Sequence, residues 1–130
     1  MMQFELKLPL LGFESIKQME LKKIDDIFMR LESVGEGPSF TLINPYVLRE
    51  YAFDIPASLQ ALMEIDENSN LLIYAIVILT TPIENSNINF VAPVIFNTDN
   101  GQMAQIIIDN RSEFSIAEPI KNYLKDRTDD

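Results

Sequence analysis

Asp66, Asn68 and Asn70 stand at alternate positions in a polar run, the spacing with which a calcium loop begins. Such a loop next needs Gly where Leu71 stands, for its sharp turn, and a bidentate Glu where Val77 stands, so the run reads as a connection between elements. Asp25 and Asp26 offer two carboxylates, but acid–base work on a glycoside takes two that face each other across a pocket. Neighbours in a turn are solvated instead. The chain has no His, which removes the Ser-His-Asp arrangement and the commonest metal ligand. It has no Cys, hence no thiolate nucleophile, disulfide framework or cysteine zinc site. Gly35-Glu36-Gly37-Pro38 lacks the Lys-Ser/Thr of a phosphate loop and leads into a strand, not a helix. Asn110-Arg111-Ser112 matches a glycosylation acceptor, with no secretion signal to give it meaning. No metal, cofactor or catalytic group is expected, and the chain reads as a non-enzyme.

What remains is a scaffold. The 130 residues suffice for one domain with one core. Leu, Ile, Val and Phe make up about a third of them, well above the ~20% below which disorder is the default. Twenty Asp and Glu against ten Lys and Arg give a net charge of −10. Such a chain repels phosphate, so no direct binding to nucleic acid is expected. The amino end carries no signal-peptide pattern. The longest apolar run, Leu71 to Leu79, is far short of the ~20 residues a membrane helix needs. A cytoplasmic protein with no membrane association is the expectation.

Period-two patterns dominate. Phe4, Leu6 and Leu8 alternate with polar residues, as do Met19 and Leu21. Ile27, Met29 and Leu31 alternate with Phe28, Arg30 and Glu32, and Gly35 to Pro38 is a turn. Phe40 to Ile43 is a strand stopped at Asn44-Pro45, because proline cannot donate into a ladder. Tyr51, Phe53 and Ile55 alternate again. Pro56 to Ile65 is predicted as a short helix with Leu59, Leu62 and Met63 on one face. Leu72 to Thr80 is predicted as a central strand buried on both faces. Ile88 to Phe96 is a strand interrupted at Pro93, hence bulged or partly at an edge. Asn97 to Gly101 carries the Asn-Gly hairpin signal, and Met103 to Asp109 returns as a strand. Pro119 is expected to open a last helix with Ile120, Tyr123 and Leu124 on one side, and residues 126–130 form an acidic, fraying tail. Seven to nine strands with turns about every ten residues give an all-β fold: a single antiparallel β-barrel-like domain spanning residues 1–130, with two short helices. The pattern leaves closed barrel and sandwich equally open.

The corners Asn44-Pro45-Tyr46 and Asn89-Phe90-Val91-Ala92-Pro93 stand out, either as strand ends or as rigid points that present Tyr46 and nearby backbone to a partner. Together with Leu8-Pro9-Leu10-Leu11-Gly12-Phe13-Glu14, Phe28 to Ser33, Tyr51-Ala52-Phe53-Asp54-Ile55, and the run Ile83 to Ile95 followed by Asn97, Gly101 and Gln105-Ile106-Ile107, they follow one another in an order that resembles the flagellar assembly factor FliW family across nearly the whole chain. Gln102-Met103-Ala104-Gln105 departs from it, since many members have a basic residue and Gln after the turn glycine. The resemblance implies a small β-barrel-like cytoplasmic protein that is not an enzyme. It further implies binding to flagellin and, when free of flagellin, to CsrA, an RNA-binding repressor of flagellin translation that the factor antagonises. An acidic surface can steer towards a basic RNA-binding protein without touching RNA. The positions expected to contact a partner are Glu32, Ser33, Asn44, Pro45, Tyr46, Asn89 and Pro93. The alternative is a small-molecule-binding β-barrel, whose apolar strands would line an internal cavity.

Overall fold

A computed structural model describes residues 2–108 and 114–123. Its strands are β1 (Met2–Leu8), β2 (Gln18–Lys23), β3 (Phe28–Ser33), β4 (Ser39–Ile43), β5 (Leu71–Ile78), β6 (Asn87–Asn97), β7 (Gln102–Gln105) and β8 (Glu118–Pro119). Helix α1 (Ala57–Leu62) and two 3-10 turns, Pro45–Val47 and Ile83–Asn85, join them, and a second helical segment begins at residue 121. The first seven strands close on themselves in the order β5-β4-β3-β2-β1-β7-β6, with β6 returning to β5. The fold is therefore a closed barrel, which settles the choice that periodicity left open. Its pairings are antiparallel except β1 with β7, which run parallel through Glu5↔Gln102, Leu6↔Met103 and Leu8↔Ala104.

The alternation read from the sequence explains why the barrel closes. Register sets Phe4 opposite Met19, Leu21 opposite Leu31, and Phe96 opposite Met103. These residues, with Leu42 and Val94, are buried together and fill the interior. Phe4 and Phe96 meet edge to face, 4.9 Å between ring centres. Closure also removes most unpaired strand edge, the usual liability of a sheet.

Two outer layers cover β5 and β6. Ile43, Ala75, Val77, Ile88 and Phe90 face outward and are roofed by Tyr51, Phe114 and Ile120. Leu59 and Met63 of α1 cover Ile95, Ala104 and Ile106. The expectation that β5 is packed on both faces holds from Leu71 to Val77, since Leu72, Tyr74 and Ile76 turn to the interior cluster. Leu79 and Thr80 lie beyond the strand and are exposed.

Several elements differ from their expected form. The alternating Tyr51, Phe53 and Ile55 form no strand; they are an extended ribbon laid over the barrel. Helix α1 is shorter than Pro56 to Ile65. Pro56 caps it, giving its carbonyl to Leu59 and Gln60, and Leu62 is exposed, leaving Leu59 and Met63 as the covering pair. Strand β7 stops at Gln105, well before Asp109. Beyond it the ladder with β6 is half made: Ile106 and Ile108 donate to the carbonyls of Pro93 and Val91. Pro93 has no N–H to return, and the Val91 N–H goes to Asn89 Oδ1 instead. Pro119 does not open a helix; it pairs in β8 with Asn87, and helical backbone begins at residue 121. Leu124, Asp109, the Asn110-Arg111-Ser112 triplet and the tail 126–130 lie outside the described residues.

Candidate partner-binding surface

Strand β4 ends where its sequence says it must. Pro45 has no N–H for β5, and the chain turns away in a 3-10 turn. Asn44 builds that corner. Its N–H still reaches Ile27 of the β2–β3 turn, while its Oδ1 accepts the Tyr46 N–H at 2.9 Å. The Pro45 carbonyl is taken by Leu48 and Arg49, and Pro45 itself is buried.

The turn leaves Tyr46 half exposed, its ring edge-on to Tyr51 at 5.7 Å. Tyr51 pins the ribbon beneath. Its hydroxyl donates to the Phe90 carbonyl at 2.6 Å, and its ring packs against Phe53, Phe90 and Phe114. The Arg49 guanidinium lies over Phe114 and Phe90, 4.9 and 5.6 Å from their ring centres, so the cation faces two aromatic quadrupoles. Burial pushes both phenols above the ordinary tyrosine range, Tyr51 much further than Tyr46. Both stay neutral at physiological pH.

The corner opens on a groove. A cavity of about 280 Å³ lies between Asn44, Tyr46 and the β5 residues Leu71, Leu72, Ile73 and Tyr74. A second, of about 260 Å³, shares Asn44 and Tyr74 with the first and runs to Lys23, Asp25, Asp26, Ile27 and Met29. The Asp25 carboxylate is turned inward to accept the Ile27 and Phe28 N–H groups, each at 2.8 Å, which makes it a turn former. Asp26 is exposed and reaches Lys23 at 3.5 Å.

The other expected contact residues lie elsewhere. Glu32 and Ser33 occupy the far end of β3, about 13 Å along the strand from Phe28, which pairs with Ile43 beside the corner. Glu32 is not an unengaged acid: Lys22 Nζ lies 2.8 Å away and Arg30 3.9 Å. The Lys22 ammonium holds the Glu32 carboxyl below its usual range. Ser33 donates to the Pro38 carbonyl at 3.0 Å and borders a separate cavity of about 420 Å³ with Glu5, Lys17 and Glu36.

Asn89 and Pro93 lie away from the Asn44 corner, Asn89 half-buried and Pro93 buried as Pro45 is, so neither proline ring is itself presented. Pro93 is buried, its carbonyl bonded to Ile106, and β6 is flanked by β5, β7 and β8, so it is no edge. The bulge half of that expectation is right: between Asn89 and Val94, β6 skips pairing with β5. Asn89 Oδ1 accepts from Val91 and Ala92 at 3.0 and 3.2 Å and holds the bulge in shape. Sequence reasoning missed Leu71 to Tyr74 as a wall of the groove. Pro45 was the available signal, but only the register shows which strand it leaves without a neighbour.

Among the described residues no three acidic groups gather as a metal site, and no helix is long and apolar enough to cross a membrane. In the Asp66 to Asn70 run, Asp66 Oδ1 accepts from Asn68 and Ser69, and Asn70 bonds Asp99.

Residues 2–120 match the family model described as FliW protein. Over 125 residues the chain is 52% identical to the flagellar assembly factor FliW of Sulfurimonas denitrificans, covering 95% of this chain and 99% of that one. It is 47% identical to flagellar assembly factor FliW 2 of Wolinella succinogenes, covering 95% and 93% of the two chains. FliW 1 of the same organism is 46% identical, covering 96% and 100%. A crystal structure of the flagellar assembly factor FliW superposes with a TM-score of 0.83 at 22% identity, over 90% of this chain and 84% of that one, a likeness of fold.

Proposed function

The chain belongs to the FliW family, and on that footing we propose that it is a cytoplasmic flagellar assembly factor that works by binding proteins and not by catalysis. Its partners in this reading are flagellin and the translational repressor CsrA. The factor binds flagellin while flagellin is present, and when freed it captures CsrA and relieves repression. The observation that carries the proposal is identity of 52% across 95% of this chain and 99% of a FliW relative, so nearly the whole of that relative has a counterpart here.

The structure's packing agrees. A ligand-binding barrel keeps an internal cavity. Here Phe4, Leu21, Leu31, Phe96 and Met103 occupy that space, each at most 2% exposed. The three cavities described above lie between loops and strand ends. A partner must therefore be met at the surface, and the groove beside Asn44 and Tyr46 is the place where the fold offers both an aromatic anchor and a recess. The net charge of −10 favours encounter with a basic RNA-binding protein.

A standard interface takes ~800 Å² from each partner, so two separate footprints would fit on one domain. Exclusion of one partner by the other needs either overlapping footprints or a coupled change of shape, and overlap is the simpler case, because a barrel closed by its own ladders offers few elements with two alternative positions. Adding purified flagellin to a preformed complex with CsrA should release CsrA one for one, read by size-exclusion chromatography. A stable ternary complex, at concentrations well above both dissociation constants, would refute the shared footprint. Failure to bind either protein would refute the reading as a whole.

A further inference from the structure

The barrel closes incompletely between β4 and β5. Strand β4 pairs with β5 through Thr41↔Val77, Leu42↔Ile76 and Ile43↔Ala75, and then stops. Continued by two residues, the same register would set Pro45 opposite Ile73. Pro45 has no N–H, and its carbonyl is already bonded to Leu48 and Arg49.

The alternation of an antiparallel ladder says which β5 groups this leaves unmet. The Ile106 N–H to Pro93 carbonyl bond assigns Pro93, Ile95 and Asn97 to the β7 side of β6. Val94 and Phe96 therefore bond towards β5, to Tyr74 and Leu72. Leu71 and Ile73 consequently point their N–H and C=O groups the other way, to where β4 would have been. The Asn44 N–H to Ile27 carbonyl bond gives the same phase independently, since it assigns Ile43 and Thr41 to the β5 side of β4. No hydrogen bond from the described residues reaches the backbone of Leu71 or Ile73 on that side. These groups line the cavity of about 280 Å³, with Tyr46 and Asn44 opposite.

We infer that this edge of β5 takes up an extended segment of a partner polypeptide as an added strand. The inference deepens the proposed function and rests on its reading of the protein as a binder of other proteins. Paired donors and acceptors at strand spacing recognise backbone, so the occupant is an extended peptide, not a helix face or a small molecule. Side chains of such a strand alternate between the Tyr46 ring and the barrel mouth at Tyr74, which favours apolar residues at every second position. The net charge of −10 favours a segment that carries basic residues.

Amide hydrogen exchange on the full chain tests this, alone and with purified flagellin or purified CsrA. In the free protein Leu71 and Ile73 should exchange fast while Leu72 and Tyr74 are protected. In at least one complex the first two should slow by about tenfold or more, as expected of amides that gain a hydrogen bond. A complex that forms without slowing them overturns the strand addition and leaves the proposed function standing. Absence of both complexes overturns the two together. Slowing that appears on concentrating the protein alone assigns the edge to a second copy and overturns the partner. Ile73→Pro should lose binding at least tenfold, because it removes the edge N–H without removing a ladder bond, while Ile73→Val binds as the parent does. Where Ile73→Pro fails to fold, the exchange experiment decides alone.

Discussion

The hydroxyl of Tyr51 is the test of how the Tyr46 corner is held. Tyr51→Phe keeps the ring against Phe53, Phe90 and Phe114 and removes one oxygen. That oxygen is the donor to the Phe90 carbonyl at 2.6 Å, in the stretch of β6 that skips pairing with β5. Both residues are buried, at 5% and 0% exposure, so the carbonyl has no ready replacement. A buried acceptor left alone costs about 1–3 kcal/mol, more than the ~1 kcal/mol net worth of an ordinary hydrogen bond. Taking about 2 kcal/mol, and about 3–6 °C per kcal/mol for a domain of this length, Tm should fall by about 6–12 °C. Thermal melts followed by circular dichroism, with urea titrations to show an unchanged m-value, would measure it. Tyr51→Ala sets the scale of losing the ring as well, about 3–5 kcal/mol. Stability of Tyr51→Phe within about 0.5 kcal/mol of the parent would refute the reasoning and show that packing alone holds the ribbon.

Tyr46→Ala should weaken binding of flagellin or CsrA by more than about fivefold with Tm nearly unchanged, since the ring is half exposed; a Tm loss as large as that of Tyr51→Phe would make it a structural prop instead. Gly37→Ala should cost about 1–3 kcal/mol in urea unfolding, because at φ 152° the new Cβ meets Ser33 Oγ at 2.7 Å and Ser33 Cβ at 2.8 Å; an unchanged midpoint would show that the turn simply shifts. Tyr123 is pushed up to about 12 by burial and by its hydrogen bond to Glu118, so the folded state holds its proton more tightly than the unfolded state does. Its contribution to stability should be complete below about pH 10 and disappear as pH rises towards 12, and Tyr123→Phe should flatten that alkaline loss in denaturant titrations between pH 8 and 12.

Much of the barrel is legible in the sequence because each strand has one face inside, which writes a period of two. Phe4, Met19, Leu21 and Leu31 could be assigned to the core on that ground alone. Two kinds of feature escaped. Tyr51, Phe53 and Ile55 carry the same period yet pair with nothing, since an extended ribbon packed through side chains looks like a strand until the ladder is known. Ile106 and Ile108 alternate correctly with exposed Ile107, but Pro93 and Asn89, distant in sequence, withhold the N–H groups a strand there would need. The candidate surface shows the same division. Asn44-Pro45-Tyr46 is a local corner and was visible as one. The unpaired Ile73 across from it depends on register between strands some thirty residues apart, which no local pattern encodes.

The parallel seam between β1 and β7 has a consequence in time. The Leu11 amide and Gln105 side chain that meet beside it are 94 residues apart in sequence. Pairing at such separation adds little to the equilibrium cost, because loop-closure entropy grows only with the logarithm of length. It does slow folding, since non-local pairings are reached through a costly search, and barrels of this kind fold in roughly milliseconds to seconds. On the ribosome the delay is longer. At about 5–20 residues per second, the β2–β3–β4 meander emerges several seconds before β7 does. Through that interval β1 waits with one side unpaired, as an open sheet edge on a half-made protein. Any shortened chain that ends before β7 would remain in that state.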